Sequence, residues 1–310
     1  MAKFLVTGVS GCIGAWVARM LLEMGHEVTG ADVSLDSHRF KLTLGDLTES
    51  KALTLVNLDL RDYEATKKVF AADEFEAVIH LAALQLPFCK ADPINGAMVN
   101  VVGMVHLLEI ARTQSFNFVY ASSTAVYGPS LGRPIEENEN LTPSSLYGVF
   151  KRADEEMSRV YFADHGVASV GLRPWIVYGP GRDQGITADL TIALLNAAKG
   201  LPYHIRFNGG VGVEHASEVA GAFIAAALKP LPGARVYTLG GPSITVPEVV
   251  KLIEEKTGTH GLITHAKEDL PIACETTDKS FQADYGPFPY MPMSEGIDLT
   301  LKLWKERGEI

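Results

Sequence analysis

Tyr147 and Lys151, in "YGVFK", stand four residues apart, which on a helix puts both side chains on one face. An ammonium beside a phenol favours the phenolate, lowering a pKa that starts at about 10 toward the range where it takes a proton from an alcohol. Tyr127, twenty residues before Tyr147, lies in "YASSTAVYG" at 120–128, a strand-like run that ends in hydroxyls. Ser123 there can hydrogen-bond the same alcohol oxygen, and Ser122 and Thr124 are close enough in sequence to compete for that role. The YxxxK pattern alone is weakly specific, because Tyr63 and Lys67 in "YEATK" match it too. No hydroxyl-rich strand end precedes that second match, so it reads as a solvated helix face.

Positioning such groups takes a sheet, and the chain supplies one. Short apolar runs at 3–8, 26–32, 52–59, 76–83 and 116–123 alternate with longer amphipathic stretches. That alternation predicts βαβ units and a parallel sheet covered on both faces: an α/β fold, a Rossmann-type doubly wound sheet. After "VASVGLRP" at 167–174 the pattern loosens into loops rich in Gly and Pro. The expectation is a dinucleotide-binding domain over 1–173 and a smaller, irregular substrate lobe over 174–310, with some segments returning to the first domain.

The first strand runs into "TGVSGCIG", where Gly8, Gly11 and Gly14 open a helix, with Cys12 and Ile13 on its first turn. Without side chains at the glycines, backbone N–H groups and the helix N-terminus can approach a pyrophosphate. A tight turn with close helix–strand packing explains the same glycines without a ligand. Asp32, eighteen residues beyond Gly14, closes the second run, where an acid bonds both hydroxyls of an adenosine ribose. It would repel a 2'-phosphate, Val33 brings no positive charge, and Arg39 is further along; the cofactor expected is therefore NAD and not NADP.

Composition removes other classes. A net charge of -10 lacks the basic footprint of a nucleic-acid binder. Three cysteines without CxxC support neither a disulfide scaffold nor a cysteine-rich metal site, and no metal is expected. With no signal-like or membrane-spanning run, a cytoplasmic chain with no membrane partner is expected.

Together these residues resemble the extended short-chain dehydrogenase/reductase superfamily, the NAD-dependent epimerase/dehydratase group that includes UDP-galactose 4-epimerase. The matching features are TGxxGxxG at 7–14, Asp32, "LDLRD" at 58–62, "HLAA" at 80–83, "GMVHLLEIA" at 103–111, "SSTAVYG" at 122–128, YxxxK at 147–151 and "RPWIVYGPG" at 173–181. The resemblance implies Asp59 and Leu60 beside the adenine, and His80, Leu81, Ala82 and Ala83 lining the cofactor with backbone, with Asn100 nearby. It further implies Ser123 as the catalytic hydroxyl, Tyr147 as acid/base, Lys151 as the ligand of the nicotinamide ribose, and a homodimer built on helices around 93–113 and 144–165. Two departures stand out: Ile176 and Val211 occupy places where nucleotide-sugar members often carry an Asn and an Arg for the diphosphate. Arg182 and Arg206 offer groups for a carboxylate or several hydroxyls instead, although Arg182 and Asp183 equally fit a surface ion pair.

The expectation is an NAD-dependent oxidoreductase that removes hydride from a secondary alcohol of a small sugar-like substrate (a sugar, sugar acid or hydroxy acid), with Tyr147 as general base. The alternative returns the hydride to the opposite face of a rotated keto intermediate, making a nucleotide-sugar epimerase of the UDP-glucose 4-epimerase type. A non-catalytic NAD-binding regulator would lack Tyr147 or Lys151, and both are present.

Overall fold

The computed structural model describes residues 1–310 apart from 36, 137, 138, 242, 273, 278, 288 and 289. Its first half runs β1 (Lys3–Thr7), α1 (Cys12–Glu23), β2 (Glu27–Asp32), α2 (His38–Leu44), β3 (Leu53–Asn57), α3 (Tyr63–Ala72), β4 (Ala77–His80), α4 (Leu86–Ala91), α5 (Pro93–Ala97), α6 (Gly103–Ala111), β5 (Asn117–Ala121), α7 (Leu146–His165) and β6 (Ser169–Arg173). The second half runs β7 (Ile176–Tyr178), α8 (Asp189–Ala198), β8 (Tyr203–Ile205), β9 (Gly210–His215), α9 (Ala216–Leu228), β10 (Ala234–Thr238), β11 (Ser243–Thr245), α10 (Val246–Thr257), β12 (Ile263–His265), α11 (Ser280–Tyr285) and α12 (Met293–Glu306).

Seven strands form the main sheet in the order β10-β6-β5-β4-β1-β2-β3, and every neighbouring pair is parallel. The chain starts in the middle and winds outward to either side, so the order reverses between β1 and β4. In open α/β sheets such a reversal is where ligands bind, outside the carboxyl ends of the strands. Burial on both faces explains why β4 reads "AVIH" with no polar alternation.

Each face has its own core. On one side Trp16, Val17 and Leu21 of α1 pack with Val219 and Phe223 of α9 over Phe4, Val6 and Ile79. On the other, Phe70 of α3 and Met104, Leu107 and Leu108 of α6 cover Leu5, Val78 and Phe118. A third core joins β7, α8, β9, α10 and α12 around Ile176, Leu194, Val211, Val249 and Ile297. It underlies a three-stranded sheet, β11-β9-β7, beside the two-stranded β12-β8. Strand β10 pairs with β6, so residues far beyond 173 complete the main sheet.

Candidate active site

The glycine loop lies against the end of β4. Gly8 has φ +73°, and a Cβ there would sit 2.6 Å from the Ala82 nitrogen. A Cβ on Gly14 would sit 2.1 Å from the Gly8 oxygen, so both glycines are required by packing alone. Gly11 differs: its added Cβ meets only the Gly8 oxygen, at 3.2 Å, leaving the approach to α1 open. Among the described residues no side chain caps α1 and no acid stands in its first turn, which leaves its leading N–H groups open to a ligand. Asp32 ties loop to strand: its Oδ2 accepts the Ser10 N–H at 3.0 Å and its Oδ1 the Ser34 N–H at 3.2 Å. An open helix N-terminus with a carboxylate at the end of β2 fits a dinucleotide with free ribose hydroxyls.

The loop after β7 straps down this turn. The Pro180 carbonyl accepts from Trp16 Nε1 at 3.2 Å and from the Cys12 thiol at 3.6 Å. Burial pushes the Cys12 thiol up to about 12 against the pull of Arg182, which leaves it inert. Ile13 is half-buried against the α1 core. Asp59 is held below the usual carboxylate range by Arg61, which bonds both its oxygens. Leu60 is buried, and its carbonyl bonds His106 Nδ1 at 2.7 Å.

At the end of β4, His80 Nδ1 shares a hydrogen bond with Thr7 Oγ1 at 2.7 Å, while Nε2 has no partner among the described residues. Burial, helped by the nearby Lys151 ammonium, lowers His80 to about 3, so it stays neutral. The half-buried Leu81–Ala83 stretch follows, its Leu81 N–H bonded to the Thr7 carbonyl at 3.0 Å. Asn100, fully buried in the π-helical turn between α5 and α6, accepts from the Leu84 N–H at 2.7 Å and donates to the Leu84 carbonyl at 2.9 Å. It therefore fixes the β4–α4 loop.

Three hydroxyls follow β5, and among the described residues only one is uncommitted as a donor. Ser122 donates to buried Glu155, and Thr124 donates to the Pro174 carbonyl at 3.2 Å. Ser123 only accepts, from the Ala125 N–H at 3.2 Å, and keeps its proton for another acceptor. Helix α7 closes against this turn through Gly148, where a Cβ would stand 2.4 Å from the Ala125 oxygen. Ser145 caps that helix by accepting the Gly148 N–H at 3.2 Å. Tyr147 is thereby brought beside the Ser123 turn, half-buried, with no hydrogen bond to its hydroxyl among the described residues. Lys151, 2% exposed, points inward and donates to Asp154 Oδ2 at 3.3 Å.

A buried network that the sequence does not announce surrounds this group. Arg173 gives Nε and an Nη to the two oxygens of Glu155 at 2.7 and 2.6 Å and its other Nη to the Tyr127 hydroxyl at 2.7 Å. Tyr127 in turn meets Thr238 of β10 at 2.6 Å. Glu155 stands four residues after Lys151 and Tyr127 in the same run as Ser123; helical spacing was the one signal available. The other YxxxK pair is elsewhere: Tyr63 lies against His106 with Lys67 over its ring, and Lys67 pairs with Glu64 at 2.7 Å.

The two arginines separate. Arg182 reaches Gln85 Oε1 at 3.3 Å and Thr187 Oγ1 at 2.9 Å, close to the loop after β4. Arg206 is bound to Asp189 through Nε and Nη, at 2.9 and 2.7 Å, and Asp189 also accepts its N–H. Ile176 and Val211 are buried in the third core.

A model of the NAD dependent epimerase/dehydratase family matches residues 4–240. Protein CapI of Staphylococcus aureus is 33% identical over 63% of this chain, and the match spans only 60% of that relative's length. A UDP-glucuronate 4-epimerase of Thermodesulfobacterium geofontis is 27% identical over 100% of this chain and 98% of its own. Among solved structures, UDP-glucose 4-epimerase of Thermus thermophilus in complex with NAD is 27% identical, covers 98% of this chain and 99% of its own, and superposes with a TM-score of 0.84. Because the family match runs from β1 through β10 and takes in every residue just described, the chain belongs to the NAD dependent epimerase/dehydratase family and takes NAD as its cofactor.

Proposed function

We propose that this enzyme is a 4-epimerase of a nucleotide sugar, with a UDP-hexuronate as the first substrate to try. The similarity to a UDP-glucuronate 4-epimerase along the whole chain, second lobe included, carries this reading. It displaces net dehydrogenation, the first expectation from the sequence. NAD held in this site would supply a reversible hydride acceptor. Tyr147 takes the proton of the 4-hydroxyl, Ser123 donates a hydrogen bond to that oxygen, and the Lys151 ammonium favours the phenolate. Uncapped N–H groups of α1 and the Asp32 carboxylate hold the pyrophosphate and adenosine ribose.

Net oxidation of a smaller sugar acid remains a second reading for one reason. Ile176 and Val211 are buried and apolar where a diphosphate would need partners. Incubation with UDP-glucuronate, UDP-glucose and UDP-galactose, followed by chromatography and NADH absorbance, separates the two. Epimer formation without net NADH supports the proposal; NADH released from a free sugar acid, with no UDP-sugar turned over, replaces it.

The reading includes a homodimer. The helical stretch Pro93–Ala111 is long and apolar enough to cross a membrane by length and composition, with 39% of its apolar window buried. Ile94 and Met98 remain exposed, as do Phe88 of α4 and Val149, Val160 and Phe162 of α7, which packs beside it. Pairing these helices with those of a second copy would cover Ile94, Met98, Val149 and Val160, while Phe162 stands on the opposite side of α7.

A further inference from the structure

Tyr147, Lys151 and Asp154 fall at i, i+4 and i+7 of α7, one face of one helix. Lys151 and Asp154 are both essentially without solvent, their side chains 2% and 1% exposed, and they pair at 3.3 Å. That contact is longer than a strong charge-assisted bond. It is the only hydrogen bond of the Lys151 ammonium among the described residues, and Asp154 Oδ1 has no partner there. An ammonium so placed keeps two donors for a ligand, while a carboxylate behind it opposes its field.

On the assignment of Tyr147 and Lys151 made above, we propose that Asp154 is a positioning residue that holds the Lys151 ammonium and tempers its pull on Tyr147, so setting the pH at which Tyr147 ionises. Burial raises the Asp154 carboxyl to about 7, with Lys151 acting the other way and Glu155 adding to the rise. The other groups facing the pair are neutral or committed. They are His80 of β4 and Cys89 of α4, both sensing Lys151, Tyr120 of β5, which senses Asp154, and Arg173 of β6, bound to Glu155. Protonated, Asp154 leaves the ammonium unopposed and Tyr147 ionises readily. Ionised, it screens the ammonium and holds Tyr147 back.

The test needs no substrate. Phenolate absorbance is titrated for the NAD-loaded wild type and for D154N, each against its own Y147F counterpart, so that the difference reports Tyr147 alone. The phenolate difference signal should appear at lower pH in D154N than in the wild type, by about tenfold in proton concentration. Identical curves in the two backgrounds overturn the proposal. Should D154N not fold, D154S removes the same charge and is read the same way. Turnover by Y147F would instead sink the assignment of the base, and the shift between wild type and D154N would still decide the role of Asp154 separately.

Discussion

Arg39 presents its Nε to both carboxylate oxygens of Asp183, at 2.7 and 2.9 Å. This pair joins α2 to the loop strapped over the glycine turn, and it occupies Arg39, a cation that could receive a 2'-phosphate. NAD should accordingly bind at least tenfold, roughly, more tightly than NADP, and Asp32→Asn should narrow that gap. Asp183→Ala, by freeing Arg39, should raise NADP affinity. Calorimetry with both cofactors checks all three, and preference of the wild type for NADP would contradict the role given to Asp32.

Tyr147→Phe should lower turnover by roughly a hundredfold to ten-thousandfold while NAD binding is nearly kept, because only the proton-transfer group is lost. Tyr63→Phe should leave turnover unchanged. Steady-state rates on the substrate found by the UDP-sugar screen, with cofactor binding measured alongside, test the pair.

Gly148→Ala introduces a Cβ 2.4 Å from the Ala125 oxygen and 2.9 Å from Pro143. The first turn of α7 must move away from the Ser123 turn, at a cost of about 1–3 kcal/mol in stability. Turnover should fall further than that loss of folded protein explains. A variant with wild-type turnover would show that the closeness of these two segments is unimportant.

Glu214, buried on β9, has its carboxyl raised to about 8 by burial, although it accepts the Trp175 N–H at 2.9 Å. Between its unfolded value of about 4.5 and 8 the native state holds a proton that the unfolded chain has released. Unfolding then releases that proton, so stability falls as pH rises through this window, by at most roughly 5 kcal/mol. Glu214→Gln keeps the acceptor and removes the titration. Its melting temperature should fall less between pH 5 and 8 than that of the wild type, roughly the span of the shift; parallel curves would refute the assignment.

Val149→Asp places a charge on the exposed apolar face shared by α7 and its neighbours. Sedimentation should show a dimer for the wild type and a monomer for this variant. A wild-type monomer at micromolar concentration would remove the dimer.

The strands at 3–8, 26–32, 76–83 and 116–123 were legible because a strand largely buried on both faces must be mostly apolar, and β3, on the exposed edge of the sheet, was found through its own apolar run at 52–59; the observed β1 to β5 lie inside those runs. The three-residue strands β7, β8, β11 and β12 are too short to carry a period. Tyr147, Lys151 and the glycine turn announced themselves by spacing within one element. Glu155, Arg173 and Thr238 did not, since α7, β6 and β10 meet only in space. The choice between Ser122, Ser123 and Thr124 likewise needed their partners, which lie at 155 and 174. Arg206 read as a free cation because Asp189, seventeen residues earlier, gave no sign of facing it.

Strand β10, the partner of β6, has a consequence for dissection of the gene. A truncation at 173 strips the sheet of its outer strand and removes α9, whose Val219 and Phe223 cover α1. It also deletes Thr238, the far end of the hydrogen-bonded chain that begins at Ser122. The dinucleotide half is thus not an independent module that can be grafted onto another substrate lobe at a single junction. A working chimera needs at least three crossovers, roughly at the ends of β6, β9 and β10, so that α9 and β10 travel with the first half.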